Sequence, residues 1–123
     1  MTRAEFMDSV KKAKVDGVVE QQIKDVYCKT EIPELILKIF STYKKSELFD
    51  ENESRTISLS ELLCAEERIG VPFRSIQVIP VVDLGDNDYI VYDGKEKAWF
   101  VYNIVDEIFF DASASFEELF RRN

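Results

Sequence analysis

Apolar positions recur at helical spacing through the first third of the chain and at strand spacing through the last. Thr2 and Glu5 stand as a capping box, a threonine followed three residues later by a glutamate, and predict a helix over about 3–14. Val15-Asp16-Gly17 reads as a break. Val19, Ile23, Val26 and Tyr27 then predict a second helical stretch to about residue 28, with one longer helix through Gly17 left open. Ile32, Leu35, Ile36, Ile39, Phe40 and Tyr43 form a wide stripe at i, i+3, i+4, i+7, i+8 and i+11, and Pro33 suits its first turn. The polar stretch 44–54 is a predicted loop. Residues 55–59 suit a short strand. Ser58 with Glu61, or Ser60 alone, then caps a helix through about residue 68, ended by Gly70 and Pro72.

Beyond Pro72 the period shortens. Segments 76–83, 89–93, 99–103 and 107–110 are rich in valine, isoleucine and aromatics. Gly85-Asp86-Asn87 and Asp93-Gly94 are turn signals between them, which predicts an antiparallel meander. Pro80 places its strand at an edge or at a bulge. Ser115 with Glu118 opens a last helix that packs Phe116, Leu119 and Phe120. Helices first, strands later and a closing helix make an α+β class. We expect an antiparallel-rich sheet of about four to six strands, mainly C-terminal, with helices packed on one face and a short C-terminal helix. The 123 residues suit one domain. Its helical part covers about 3–45, its sheet-forming part about 55–111 and its closing helix about 115–122.

Charge is distributed unevenly. Residues 1–82 carry 14 acids and 12 bases, whereas 83–120 carry ten acids against Lys95 and Lys97 alone; the net charge of the chain is −8. A phosphate backbone is repelled by such a segment, so nucleic acid is not an expected partner, whereas a basic protein is attracted and steered towards it. No apolar run approaches the roughly 18 residues of a membrane span, and no signal peptide is read, so the expected compartment is cytoplasmic, without membrane contact. The chain has no histidine. That removes the usual general base, the usual zinc ligand and every histidine-activated nucleophile, and argues against an enzyme. Carboxylate or lysine chemistry stays open. Cys28 and Cys64 lie without a CxxC arrangement and are read as free, small buried residues on helices. Lys11, Lys12 and Lys14 read as a solvated helix face.

Four stretches in order resemble the SUKH superfamily, the fold shared by a fungal cell-wall-assembly regulator and many bacterial immunity proteins. They are IPELILKIF at 32–40, LFDENESRTISLSEL at 48–62, VIPVVDLGDNDYIVYD at 78–93 and ASASFEELF at 112–120, with Trp99 and Tyr102 in the strand between the last two. The chain departs from that pattern after the proline-led helix. Where the family often has Asn-Gly-Gly, it reads Thr42-Tyr43-Lys44-Lys45, as in a divergent branch. The resemblance implies a protein that neutralises a cognate bacterial toxin, often a nuclease or deaminase, by binding it. The alternative is an intracellular regulatory or scaffold module of the same fold.

The candidate partner-binding residues are Asp83, Asp86, Asp88, Asp93, Asp106 and Glu107, with Asp111 as a further member of the acidic ladder, and Tyr89 and Trp99 as aromatic anchors. For any one aspartate the simpler reading is a turn residue, and for either aromatic it is core packing. The one-sided charge favours the binding reading for the group. In the strand 99–103, alternation sends Trp99, Val101 and Asn103 to one face and Phe100 and Tyr102 to the other. Metal binding by Asp83, Asp86 and Asp88 is disfavoured, because DLGDNDYIVYDG lacks the glycine and glutamate positions of a calcium loop. No cofactor, no metal and no catalytic residue is assigned. The oligomeric state and the toxin's identity are left open.

Overall fold

A computed structural model describes residues 1–49 and 53–123. The chain begins with three helices: α1 (Arg3–Lys12), α2 (Gly17–Val26) and α3 (Glu34–Thr42). Thr2 and Glu5 form the full reciprocal box at the start of α1, and Asp16 accepts from the Val18 and Val19 N–H groups at the start of α2. Gly17 therefore opens a second helix and does not lie inside one. Pro33 is the residue before α3, one position earlier than a first-turn proline.

A two-residue strand β1 (Arg55–Thr56) follows, shorter than the 55–59 expected. The single helix read to residue 68 is two, α4 (Leu59–Leu63) and α5 (Ala65–Ile69), broken at Cys64. Ser58 and Glu61 cap α4 reciprocally, and Gly70 ends α5 in the left-handed conformation. A one-turn helix α6 (Phe73–Ile76), which the apolar pattern did not separate from the next strand, precedes β2 (Val78–Gly85). Then come β3 (Asp88–Asp93), β4 (Ala98–Asn103), β5 (Ile108–Ser113) and α7 (Phe116–Arg122). Ser115 accepts from the Glu118 N–H and so caps α7.

The five strands form one antiparallel sheet in the order β1-β2-β3-β4-β5. With seven helices among the described residues, this is an α+β fold. Pro80 lies on an inner strand. It is tolerated because the ladder to β3 shifts register between Pro80 and Val82, the bulged alternative of the two expected.

Register and ring contacts fix how the helices meet the sheet. Tyr92 and Trp99 are directly opposed on β3 and β4, and their rings lie 5.2 Å apart. Trp99 meets Phe116 of α7 edge-on at 4.9 Å, Phe116 stacks on Phe120 at 5.2 Å, and Phe120 touches Phe6 of α1 at 5.4 Å. Phe49 closes the group against both Phe6 and Phe120. Each such pair contributes about 0.5–1.5 kcal/mol beyond the area it buries. The Arg3 guanidinium lies over the Phe49 and Phe120 rings, and its Nε donates to the Phe120 carbonyl at 3.0 Å. A second anchor is Tyr27, whose buried hydroxyl donates to the Leu62 carbonyl at 2.8 Å and ties α2 to α4. Burial pushes that phenol well above its ordinary range.

The cysteines differ from expectation. Cys28 and Cys64 are exposed and lie in turns just beyond α2 and between α4 and α5. Val26 and Tyr27 take the inward positions beside Cys28, and Leu62 and Ala65 those beside Cys64. The 50–52 part of the predicted loop lies outside the described residues.

The β3–β4 turn is locked from outside. Gly94 donates its N–H to the Gln77 carbonyl at 2.9 Å, and a Cβ there would stand 2.5 Å from Thr30 Cγ2 and 3.2 Å from the Gln77 oxygen. Gly94→Ala should cost about 1–3 kcal/mol by overpacking. Adding Thr30→Ser, which deletes the clashing methyl, should restore part of the loss; urea denaturation of the two variants measures it.

Candidate functional site

The meander has two ends, and its turns decide what each presents. Asp86 and Asn87 both adopt positive φ, 50° and 67°, as the two-residue type I′ loop between β2 and β3 requires. The β4–β5 turn begins at Asn103, whose side-chain oxygen accepts from the Val105 and Asp106 N–H groups at 3.0 and 2.8 Å, and ends at Glu107 with φ 56°. The β3–β4 turn has the same construction. Asp93 Oδ1 accepts from the Lys95 and Glu96 N–H groups at 2.8 and 3.3 Å, and Lys97 closes the turn at φ 53°.

The β2–β3 and β4–β5 turns are neighbours. Ile104 N–H donates to the Asn87 carbonyl at 3.0 Å, and Asn103 Nδ2 donates to Asp88 Oδ1 at 2.8 Å. Asp83, Asp86, Asp88, Asp106 and Glu107 therefore gather at one end of the sheet. Lys95 and Lys97, the only bases of the meander, sit at the other. Asp86, Asp106 and Glu107 are exposed, and Asp88 is half-buried against Asn103.

Not every candidate joins this group. Asp93 is at the far end, 7 % exposed, and its carboxylate is spent on its own turn. Trp99 is 5 % exposed and packed between Tyr92 and Phe116, so it is a core residue and not a surface anchor. Alternation correctly separated it from Tyr102 but left undecided which face the helices cover; α7 covers the tryptophan's. Asp111, with φ 55°, is tied to Arg122 at 2.8 Å and to Asn123 at 2.9 Å, contacts that hold its carboxyl below the usual range.

Asp83 is partly engaged as well. Arg55 forks onto Glu61, with Nη1 and Nη2 donating at 2.8 and 2.9 Å, and its Nη2 also lies 3.5 Å from Asp83. The arginine that reaches Asp83 is thus already bound from two sides. The guanidinium, first by hydrogen bonding, draws the Glu61 carboxyl from 4.5 down to about 2.

On the face opposite Trp99, the register lines up Arg55, Asp83, Tyr89, Tyr102 and Phe109 across all five strands. The Tyr102 and Phe109 rings are 4.5 Å apart, and Phe100 meets Phe109 at 5.6 Å. Tyr89 is half-buried in this row, where burial and then Asp83 raise its phenol above the ordinary value. The row ends on β5, an edge strand whose Ile108, Phe109 and Phe110 are 50, 39 and 41 % exposed. In the sequence the 107–110 segment reads only as a strand rich in apolar and aromatic residues. Only the sheet order reveals their exposure.

Two clefts of about 320 and 450 Å³ share Tyr27 and Cys28, and Thr30, which lines the larger, packs against Gly94, so they lie towards the end remote from the acids. Glu66, on the smaller cleft, is held below its ordinary value by Arg74, 2.8 Å away. None of the candidate carboxylates lines either cleft. Among the described residues no group of three or more Cys, Asp or Glu side chains is placed to hold a metal ion, and no helix is long and apolar enough to cross a membrane. Compared with known proteins, the chain matches no family model, no curated protein and no solved structure.

The Arg55–Glu61 pair gives a pH test of this geometry. Because the folded-state carboxyl lies below its ordinary 4.5, its contribution is full above that pH and is lost as the pH falls towards 2. Glu61→Ala removes a helix cap as well and should cost about 1–2 kcal/mol at neutral pH. The difference from the parent should shrink steadily below pH 4.5, as read from urea midpoints across the acid range.

Proposed function

We propose that this chain is a protein-binding domain that neutralises a basic bacterial toxin domain, such as a nuclease or deaminase, by covering it with the acidic end of its sheet, and that it catalyses no reaction. The observation that carries this reading is the convergence of Asp83, Asp86, Asp88, Asp106 and Glu107 on one pair of linked turns, with Arg55 already engaged by Glu61 and Asp83. A carboxylate cluster of this kind attracts a cationic surface over roughly 8–10 Å at physiological ionic strength and so acts mainly on the rate of encounter. A toxin that grips a phosphate backbone carries the opposite charge in its cleft. The resemblance of the 32–40, 48–62, 78–93 and 112–120 stretches to the SUKH superfamily supports the same reading, as does the absence of histidine.

The test is protection. Co-expression with the toxin encoded beside this gene in its native genome should restore growth, and Asp86→Lys combined with Glu107→Lys should abolish protection while leaving the fold intact. Association measured by stopped flow should slow about tenfold or more from low to physiological salt. A rate indifferent to salt removes the acidic end from the mechanism, and failure of the parent chain to protect removes the toxin.

A further inference from the structure

We propose that β5 is a docking rail, on which an extended segment of the partner, apolar in the middle and carrying lysine or arginine at one end, adds as a sixth strand. This rests on the protein-binding reading above and names the surface that would perform it. Among the described residues β5 pairs with β4 along one side only, and Arg122 donates to the Asp111 and Ala112 carbonyls at 3.5 and 3.3 Å, so the stretch with neither a second strand nor an arginine on it is 108–110. Proteins usually blunt such an edge with lysine, proline or a covering element. Arg122 does so at Asp111 and Ala112, but Ile108, Phe109 and Phe110 stand exposed in succession before it, with no lysine, arginine or proline in residues 98–110. The edge is also apolar on both faces. Phe109 continues the row of Tyr89 and Tyr102, while Phe110 pairs with Val101 on the Trp99 side. An added strand would therefore find apolar neighbours above and below.

Charge selects the occupant. Asp106 and Glu107 are exposed immediately before the strand, beside the Asp86 and Asp88 turn, so a basic end laid there is matched. A second copy is not. Antiparallel pairing of β5 with itself joins two chains of net charge −8 each, a repulsion that a basic segment does not meet. Acids flanking an apolar strand can serve as gatekeepers against self-association. That role weighs against a second copy and favours the basic partner.

The experiment uses the full chain and two synthetic probes: a short peptide alternating valine and threonine that begins with two lysines, and the same peptide beginning with two glutamates. The lysine peptide should bind at low salt and slow amide exchange across 108–110 at least about tenfold, and the glutamate peptide should do neither. Ile108→Asp with Phe110→Asp should weaken lysine-peptide binding about tenfold or more, although it makes the site more acidic. Both positions are exposed, so circular dichroism and Trp99 fluorescence should show an unchanged fold. Tighter binding by that double variant overturns the rail and leaves the acidic end standing. Binding without protection of β5, or no binding, overturns it too. So does a dimer by sedimentation whose β5 amides are protected without peptide.

Discussion

The packing of Trp99 against Phe116 is the contact on which the rest depends. It is where the sheet meets the closing helix, and through Phe120 and Phe6 it extends to the first helix of the chain. Without it β4 and β5 would keep their hydrogen bonds but lose the surface that covers one face, and a sheet exposed on both faces is marginal in water. The same line brings Arg3 to the Phe120 carbonyl, so the first and last helices hold each other as well as the sheet. Large, rigid rings suit this task because they bury much area at little cost in rotamer freedom.

The acidic end is a product of turn chemistry more than of charge placement. Asn103 and Asp93 occupy equivalent positions in two similar turns, each accepting from the two N–H groups that follow. At one turn the neutral amide leaves the charges of Asp106 and Glu107 facing water. At the other, the carboxylate itself is consumed and lysines follow. Two turns of one design thus give the sheet an acidic end and a mixed end. The difference lies in which residues fill the two intervening and closing positions.

Much of this was legible in the chain. The boxes at Thr2 and Ser58, the stop at Gly70, the paired turns and the α3 stripe all rest on local rules, and local rules survive folding. The gathering of acids was foreseen as a group but not in membership, because sequence spacing does not say which end of a meander a turn occupies. Asp93 and Asp86 are separated by one strand and lie at opposite ends. Trp99 was misplaced for a related reason. Alternation divides a strand into two faces without saying which one a distant helix will cover. Cys28 and Cys64 were misread because a small apolar residue at the fraying end of a helix turns outward as readily as inward. The exposed run on β5 was hidden by composition, since Ile108, Phe109 and Phe110 look like core until the sheet order makes them an edge.

The left-handed backbone at Asp86, Asn87 and Glu107 has a cost and a meaning. Non-glycine residues held there are strained by an amount on the order of 1 kcal/mol each, less for asparagine and aspartate, and glycine would relieve it. Replacing Glu107 by glycine would therefore make the domain harder to melt while erasing part of its electrostatic signature. In this corner of the molecule thermal robustness and recognition pull against each other, so a library screened for heat resistance alone would drift towards a sturdier and blander protein.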